Sequence, residues 1–149
     1  MTVANLDNCL RRLVYDTVRE RGAPPSIAEL SARSAESQTA VRAALVRLAA
    51  ARMLVLQRAS GEVLMAPPFS AVPTPFLVRA SLHESYANCA WDALGVPVTL
   101  GAPAQIVSAC GCCGDAMALQ IDGTTTPVGD GVIHFAVPAR RWWEDLVFT

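Results

Sequence analysis

The sequence contains no lysine, so its twelve basic side chains are all arginines, and only 6% of its residues are aromatic. No apolar run approaches the roughly 20 residues that a transmembrane helix needs. Asp7 precedes any apolar run at the N-terminus, where no signal-peptide core is recognisable. These absences argue against a membrane-spanning or secreted chain, and we expect a cytoplasmic protein.

The charge is divided unevenly along the chain. The formal net charge is only −1, and with 52% hydrophobic and 17% charged residues the composition is that of a globular protein. Residues 1–66 hold nine arginines against six acidic residues, whereas residues 67–149 hold three against seven. This division suggests two modules, residues 1–66 and 81–149, joined by a proline-rich connector over residues 67–80.

The first module has the pattern of a winged helix, three helices followed by a two-stranded hairpin. Ser26 and Glu29 have the spacing of a capping box and should open the second helix. The elements predicted are helices over residues 5–21, 26–33 and 38–52 and strands over residues 53–57 and 62–66.

The second module should be a small mixed or antiparallel β-sheet with a flanking helix, which makes the fold class α+β. A second capping box, Ser81 with Glu84, predicts a helix that runs to Leu94, where Gly95 would cap it and Pro97 would prevent its continuation. Strands are predicted over residues 104–109, 116–121 and 132–137.

Three of the five cysteines cluster in the predicted turn between two strands. Cys110, Cys112 and Cys113 lie among glycines. In a reducing cytosol, such thiols are more often metal ligands or nucleophiles than halves of a disulfide. Thiolates suit a soft metal, and Cys89 could supply a further ligand. A redox Cys-x-x-Cys usually begins a helix, whereas a strand is predicted after this one, which argues against a redox role. A structural zinc site needs two such pairs, and the sequence has only one. The alternative is a reactive surface turn without a partner.

Cys89 and Asp92 are three residues apart on the predicted helix and therefore share a face. With Asp92 in the last turn, the helix dipole would raise its proton affinity, and a protonated carboxyl beside a thiolate can act as a general acid. On spacing alone, a core cysteine and a surface aspartate are the better interpretation. Of the remaining candidates, His134 is expected to be a satisfied core residue, His83 a surface residue, Cys9 filler, and Trp91, Trp142 and Trp143 core or interface.

The winged-helix pattern also raises a DNA-binding hypothesis. The residues that would face DNA are Gln38, Thr39, Arg42, Arg47, Arg52 and Arg58. Electrostatic attraction supplies most non-specific DNA affinity, and a surplus of three positive charges is small for that role. A structural helical module is an equally good interpretation.

The run from Asn88 to Pro97 includes the motif Cys-x-x-Asp-x-x-Gly-x-Pro, and it is followed by Leu100-Gly101, residues 106–110, residues 133–138 and Trp142. In these segments the second half of the sequence resembles the organomercurial (alkylmercury) lyases. The connector and the N-terminal module also resemble that family.

The resemblance implies protonolysis of a carbon–mercury bond. Cys89 would bind the mercury, Asp92 would deliver a proton to the leaving carbon, and a second cysteine close before His134 would complete a dithiolate. The products would be a hydrocarbon and Hg²⁺, with an external thiol as acceptor and no organic cofactor.

The chain departs from the family pattern at that second cysteine. Gly129, Asp130, Gly131 and Val132 occupy the region, and no cysteine follows Cys113. Either Cys112 or Cys113 replaces the missing thiol, or the lyase activity has been lost.

Three hypotheses follow. The first is an organomercurial lyase whose partners are its substrate, a thiol acceptor and a downstream mercury-handling protein. The second is a non-catalytic protein that binds Hg²⁺, Cu⁺ or Zn²⁺ through Cys89, Cys110, Cys112 and Cys113. The third, a metal-responsive transcription regulator, is disfavoured by the charge.

Overall fold

Three helices form the first part of the chain in the computed structural model, which describes residues 2–81, 83–122 and 132–144. Thr2 caps α1 (Val3–Arg21), Ser26 caps α2 (Ile27–Ser34) and Ser37 caps α3 (Gln38–Ala50). At Ser26 the predicted capping box is present, because the Glu29 carboxylate accepts the Ser26 backbone N–H over 2.7 Å. The buried side chains of these helices form a first core cluster that includes Leu10, Val14, Leu30, Val41 and Leu45.

A seven-stranded sheet follows, and every pair of neighbouring strands is antiparallel. Its strand order is β1-β2-β3-β5-β4-β6-β7. The strands are β1 (Val55–Leu56), β2 (Val63–Ala66), β3 (Phe69–Ser70), β4 (Leu77–Ala80), β5 (Glu84–Ala87), β6 (Ala104–Ala109) and β7 (Ala116–Ile121). One helix, α4 (Ala90–Leu100), packs against β4, β5 and β6.

The α+β class is confirmed: three N-terminal helices precede an antiparallel sheet with a flanking helix. Strands β6 and β7 have the predicted bounds. The predicted connector, residues 67–80, contains β3 and β4, so the sheet includes strands from both predicted modules. Val18 of α1 packs in the second core cluster with Phe69 and Val78. Among the described residues, no helix is both long and apolar enough to cross a bilayer.

The predicted helix beginning at Ser81 is wrong. Residues 84–87 form β5, which pairs with β3 on one side and β4 on the other. Backbone pairing on both edges and the burial of Ser85 and Ala87 outweigh the local capping signal. The helix begins instead after Cys89 and continues through Gly95 and Pro97, because Val96 and Pro97 are fully buried against the sheet; Gly101 ends it in the left-handed conformation.

The predicted strand over residues 132–137 is also wrong. This segment has no regular structure and leads into a 3₁₀ helix, Ala139–Glu144. It is held locally: the rings of Phe135 and Trp142 lie 5.0 Å apart, and the Trp142 indole N–H donates to the Val137 carbonyl over 2.8 Å. His134 is therefore exposed rather than in the core.

The other predicted environments differ in part as well. Trp91 is 59% and Trp143 41% exposed, so neither is a core residue, and Trp142 is half-buried. His83 is half-buried, and its Nε2 lies 2.9 Å from the Arg19 carbonyl oxygen, which ties the start of β5 to α1.

Candidate functional site at the start of helix α4

Cys89 is the N-cap residue of α4, where the chain passes from β5 into the helix. Its backbone is extended, and its sulfur accepts the Asp92 backbone N–H over 3.4 Å. Serine or threonine usually occupies this place in a capping box, and Asp92 stands where the glutamate would be. Cys-x-x-Asp therefore starts the helix by satisfying one of its free N–H groups. Read in this way, the spacing offers a helix start at Cys89 that competes with the one predicted at Ser81.

The thiol and the carboxyl of this pair are in direct contact. The Cys89 Sγ donates to the Asp92 Oδ2 over 3.4 Å, so the thiol proton points at the carboxylate. When the sulfur binds a metal and loses that proton, Asp92 is the nearest base to receive it. The arrangement can therefore move a proton from sulfur to carboxylate and hold it there.

Burial controls the protonation of both groups. Burial raises the pKa of the Cys89 thiol, against the opposing effect of the Asp92 backbone N–H, and the Asp92 charge raises it further. Burial also raises the pKa of Asp92, more than its contacts with Cys89 and Asn88 lower it. The helix dipole, which was the predicted cause, is wrong. Asp92 lies in the first turn, where the dipole favours the charged carboxylate. Its proton affinity is raised by burial instead.

Asn88 is a site residue that the spacing argument missed. Its side chain lies beside Asp92, but both polar atoms of its amide are buried and have no geometrically acceptable hydrogen bond within the described part of the chain. The amide is nevertheless close enough to Asp92 to lower the pKa of that carboxyl, which makes Asn88 part of the site.

The second set of thiols lies in the β6–β7 turn, as predicted. The Cys110 N–H donates to the Asp115 carbonyl over 2.8 Å, and the Gly114 N–H donates to the Cys110 carbonyl over 2.9 Å. Gly114 has φ +77°, a left-handed conformation that favours glycine. Backbone N–H groups of Cys113 and Cys112, with the Cys113 side chain, lower the pKa of the Cys110 thiol.

Cys89 and this turn lie at the same end of the sheet. Strands β5 and β6 run in the same direction because each is antiparallel to β4. Leu77 of β4 is paired with both Tyr86 and Val107, and each cysteine follows three residues after its paired residue. One strand separates Tyr86 from Val107, which places the backbones of these two paired residues roughly 10 Å apart.

The structure does not bring the four predicted metal ligands together. Within the described ranges, no group of three or more histidine, cysteine, aspartate or glutamate side chains is close enough to hold a metal ion. The predicted four-cysteine set of Cys89, Cys110, Cys112 and Cys113 is therefore divided into a Cys89–Asp92 pair and a separate turn.

A cavity of about 420 Å³ lies along α1, and neither Cys89 nor Asp92 is among its lining residues. Tyr15 lines this cavity: its hydroxyl donates to the Pro67 carbonyl over 3.1 Å, and its pKa is raised by burial, with the Asp92 charge adding to that increase. The residues lining the cavity are Arg11, Arg12, Tyr15, Asp16, Arg52, Met53, Pro67 and Trp143. The Arg52 guanidinium lies 5.6 Å from the Trp143 ring centre.

Two of the arginines assigned to a DNA path are held by intramolecular contacts. Arg47 forms a two-pronged ion pair with Asp7 over 2.6 and 2.9 Å, and Arg42 donates to the Ser60 carbonyl over 2.6 Å. These contacts fix α3 to α1 and to the β1–β2 loop, which supports the structural interpretation of the helical part.

Comparison with known structures supports the fold. The mercury-bound form of MerB2 superposes with a TM-score of 0.61 at 20% identity, over 80% of this chain and 56% of that one. At this identity the likeness concerns the fold alone, and this chain spans little more than half the length of that structure. No curated protein sequence matches the chain significantly.

Comparison with sequence families is more specific. The family model described as alkylmercury lyase matches residues 69–149, more than half of the chain and the whole of α4 with its Cys89–Asp92 pair. The chain therefore belongs to the alkylmercury lyase family.

Proposed function

We propose that the protein is an organomercurial lyase in which Cys89 and Asp92 carry out protonolysis of a carbon–mercury bond. The observation that carries the proposal is the 3.4 Å contact between the Cys89 thiol and the Asp92 carboxylate at the half-buried start of α4. Membership of the alkylmercury lyase family supports the substrate class.

The first step is attack of the Cys89 sulfur on mercury. A sulfur–mercury bond forms, and the thiol proton passes to Asp92, whose raised pKa favours its retention. Sulfur is the softest ligand that a protein offers, which suits a soft metal.

The second step breaks the carbon–mercury bond. Thiolate donation makes the carbon basic, and Asp92 gives its proton to that carbon, so the organic group leaves as a hydrocarbon while mercury remains on sulfur as Hg²⁺. Asp92 is thereby returned to the carboxylate, and no net oxidation or reduction occurs.

The second sulfur on mercury comes from an external thiol in this proposal. Within the described ranges no third cysteine, histidine or carboxylate joins the Cys89–Asp92 pair, so in this proposal the second sulfur comes from solution. The alternative prediction is that Cys112 or Cys113 replaces the missing cysteine. It is tested by measuring hydrocarbon release from Cys112→Ser and Cys113→Ser, one of which should then be inactive.

The test is hydrocarbon release. Purified protein is incubated with phenylmercury or methylmercury and excess thiol, and benzene or methane is measured by headspace gas chromatography. We expect release from the parent chain, none from Cys89→Ser, and a loss of about 10²- to 10⁴-fold in Asp92→Asn, the usual range for a general acid. Cys9→Ser, a change on α1, is the matched control and should retain the activity. If the parent releases no hydrocarbon while an authentic lyase does, the proposal is wrong.

A second candidate function is soft-metal binding without bond cleavage. It is favoured by the absence of any cysteine after Cys113 and by the Cys-x-x-Cys turn. Stoichiometric metal on the purified chain in native mass spectrometry, combined with no hydrocarbon release, would support it over the lyase.

A further inference from the structure

We propose that the cavity of about 420 Å³ along α1 binds a small aromatic carboxylate. We call it the arginine cavity, because the side chains that line it include Arg11, Arg12 and Arg52. Cys89 and Asp92 do not line it, so this site is separate from the reaction proposed at the start of α4.

The arginine cavity is formed by four segments that lie far apart in the sequence. One wall is α1, Arg52 and Met53 follow α3, Pro67 belongs to the β2–β3 turn, and Trp143 belongs to the 3₁₀ helix. The hydrogen bond from the Tyr15 hydroxyl to the Pro67 carbonyl, over 3.1 Å, joins two of these segments. The volume lies within the roughly 300–1,000 Å³ of small-molecule sites, in which a few polar groups converge on one space.

The side chains that line the cavity carry a surplus of positive charge. Three guanidinium groups line it together with one carboxylate, that of Asp16. In the part of the chain that the structure describes, the arginines that form ion pairs with carboxylates are Arg21, Arg47, Arg79 and Arg141, all of them outside the cavity. A guanidinium group that the protein does not neutralise can bind a carboxylate through two parallel hydrogen bonds. The charge of the cavity therefore favours an anion.

Two aromatic side chains favour a ligand with a flat apolar body. Tyr15 is half-buried, and the Trp143 ring is 41% exposed. An aromatic ring that packs against them gains contacts that an aliphatic anion cannot make. The Arg52 guanidinium lies 5.6 Å from the Trp143 ring centre, so a carboxylate attached to the packed ring has a cation beside it.

The backbone at Arg52 also points to a role for its side chain. Helix α3 ends in a Schellman motif, in which the Met53 N–H donates to the Leu48 carbonyl over 3.0 Å and the Arg52 N–H to the Ala49 carbonyl over 2.9 Å. Arg52 has φ +60°, in the left-handed region, and glycine is the usual residue at this position of the motif. Arginine is disfavoured there by its backbone, yet it brings a charge to the cavity that glycine cannot supply.

The ligand class is tested by titrating the parent chain in a calorimeter at low salt with 2-naphthoate. The neutral alcohol 2-naphthalenemethanol, which has the same ring, is titrated in parallel. We expect one naphthoate per chain and about 10-fold weaker binding of the alcohol, since a hydrogen bond to a charged group contributes about that factor or more. No binding of naphthoate, or equal binding of the two compounds, would overturn the proposal.

The position of the site is tested with variants whose fold is checked by circular dichroism. Arg52→Gly, which places the usual residue at the end of α3, should weaken naphthoate binding about 10-fold. Trp143→Leu should weaken it about 5-fold through the loss of ring packing. Arg58→Gln removes the same charge from an exposed residue that does not line the cavity, and it should bind as the parent does.

Unchanged binding in Arg52→Gly, or an equal loss in Arg58→Gln, would show that naphthoate does not bind in the arginine cavity. Cys89→Ser should bind naphthoate as tightly as the parent chain. Because that variant has no thiol for mercury, its binding of naphthoate is independent of the proposed lyase function, and a loss of binding in it would contradict a separate site.

Discussion

Replacing Cys89 should separate its structural role from its chemical one. The sulfur caps α4 by accepting the Asp92 N–H over 3.4 Å, and serine can accept the same hydrogen bond as one of the preferred N-cap residues. Alanine cannot. Loss of an N-cap costs about 0.5–2 kcal/mol, and because sulfur is a weak acceptor we expect the low end, about 0.5 kcal/mol.

In a chain of 149 residues, about 0.5 kcal/mol corresponds to a fall in Tm of roughly 1–2 °C. Cys89→Ala should show that fall, and Cys89→Ser should melt at or slightly above the parent temperature. Neither variant should release hydrocarbon from phenylmercury, because neither has a thiol to bind the metal.

The assay is thermal unfolding followed by far-ultraviolet circular dichroism, run beside hydrocarbon release on the same preparations. Two results would refute the reasoning. Hydrocarbon release by Cys89→Ser would show that the thiol is not the nucleophile, and a larger loss of Tm with serine than with alanine would show that Cys89 is not a cap.

Three further predictions concern the pKa values and the packing. Alkylation of Cys89 by iodoacetamide should need a higher pH than that of free cysteine, because burial raises its pKa; Asp92→Asn should shift the profile back toward lower pH, and an unchanged profile would contradict the coupling. The Arg21 guanidinium, with Ser26, lowers the pKa of Glu29 to about 2 from 4.5. Its stabilising effect should therefore be complete above pH 4.5 and be lost as the pH falls toward 2, so Glu29→Gln should flatten the acid side of a Tm-against-pH curve, and an equally steep curve would refute this. Gly22→Ala should destabilise by more than about 1 kcal/mol, since φ is +79° and the new Cβ would lie 2.2 Å from the Glu84 carbonyl oxygen; Gly101→Ala, also at positive φ but with nothing within 4 Å, is the control, and equal losses of Tm would argue against the clash.

Local signals predicted the fold where no competing signal was present. The Ser26–Glu29 capping box starts α2, and alternating residues on each side of a glycine-flanked turn form β6 and β7 with the expected bounds. In both cases the stabilising contacts lie within a few residues of each other.

The same kind of signal failed at residues 81–97. Ser81-x-x-Glu84 and Cys89-x-x-Asp92 both have capping spacing, and the choice between them depends on the pairing of β5 with β3, which begins fifteen residues earlier in the chain, at Phe69. Pro97 lies inside α4 because it is buried in the core, which no local rule for proline anticipates. Because of this long-range pairing, Asp92 lies at the beginning of a helix, whereas the sequence predicted it at the end of one.

The sequence predicted that Cys89 and Asp92 lie together, but not what sets the protonation of Asp92. The contact between Cys89 and Asp92 follows from their spacing on either version of the helix, whereas the cause of the raised Asp92 pKa depends on burial. Asn88 had no signal in the sequence, because its unsatisfied amide is a property of the folded environment. The separation of the turn thiols from Cys89 likewise depends on the strand order.

The central claim is that the Cys89–Asp92 pair supplies a proton to carbon, and a reaction in D₂O tests it most directly. Protein equilibrated in D₂O is given phenylmercury and excess thiol, and the benzene in the headspace is analysed by mass spectrometry. The account predicts benzene carrying one deuterium for each Hg²⁺ formed, and none from Asp92→Asn beyond the residual rate. Benzene without deuterium, or no benzene from the parent chain, would contradict it.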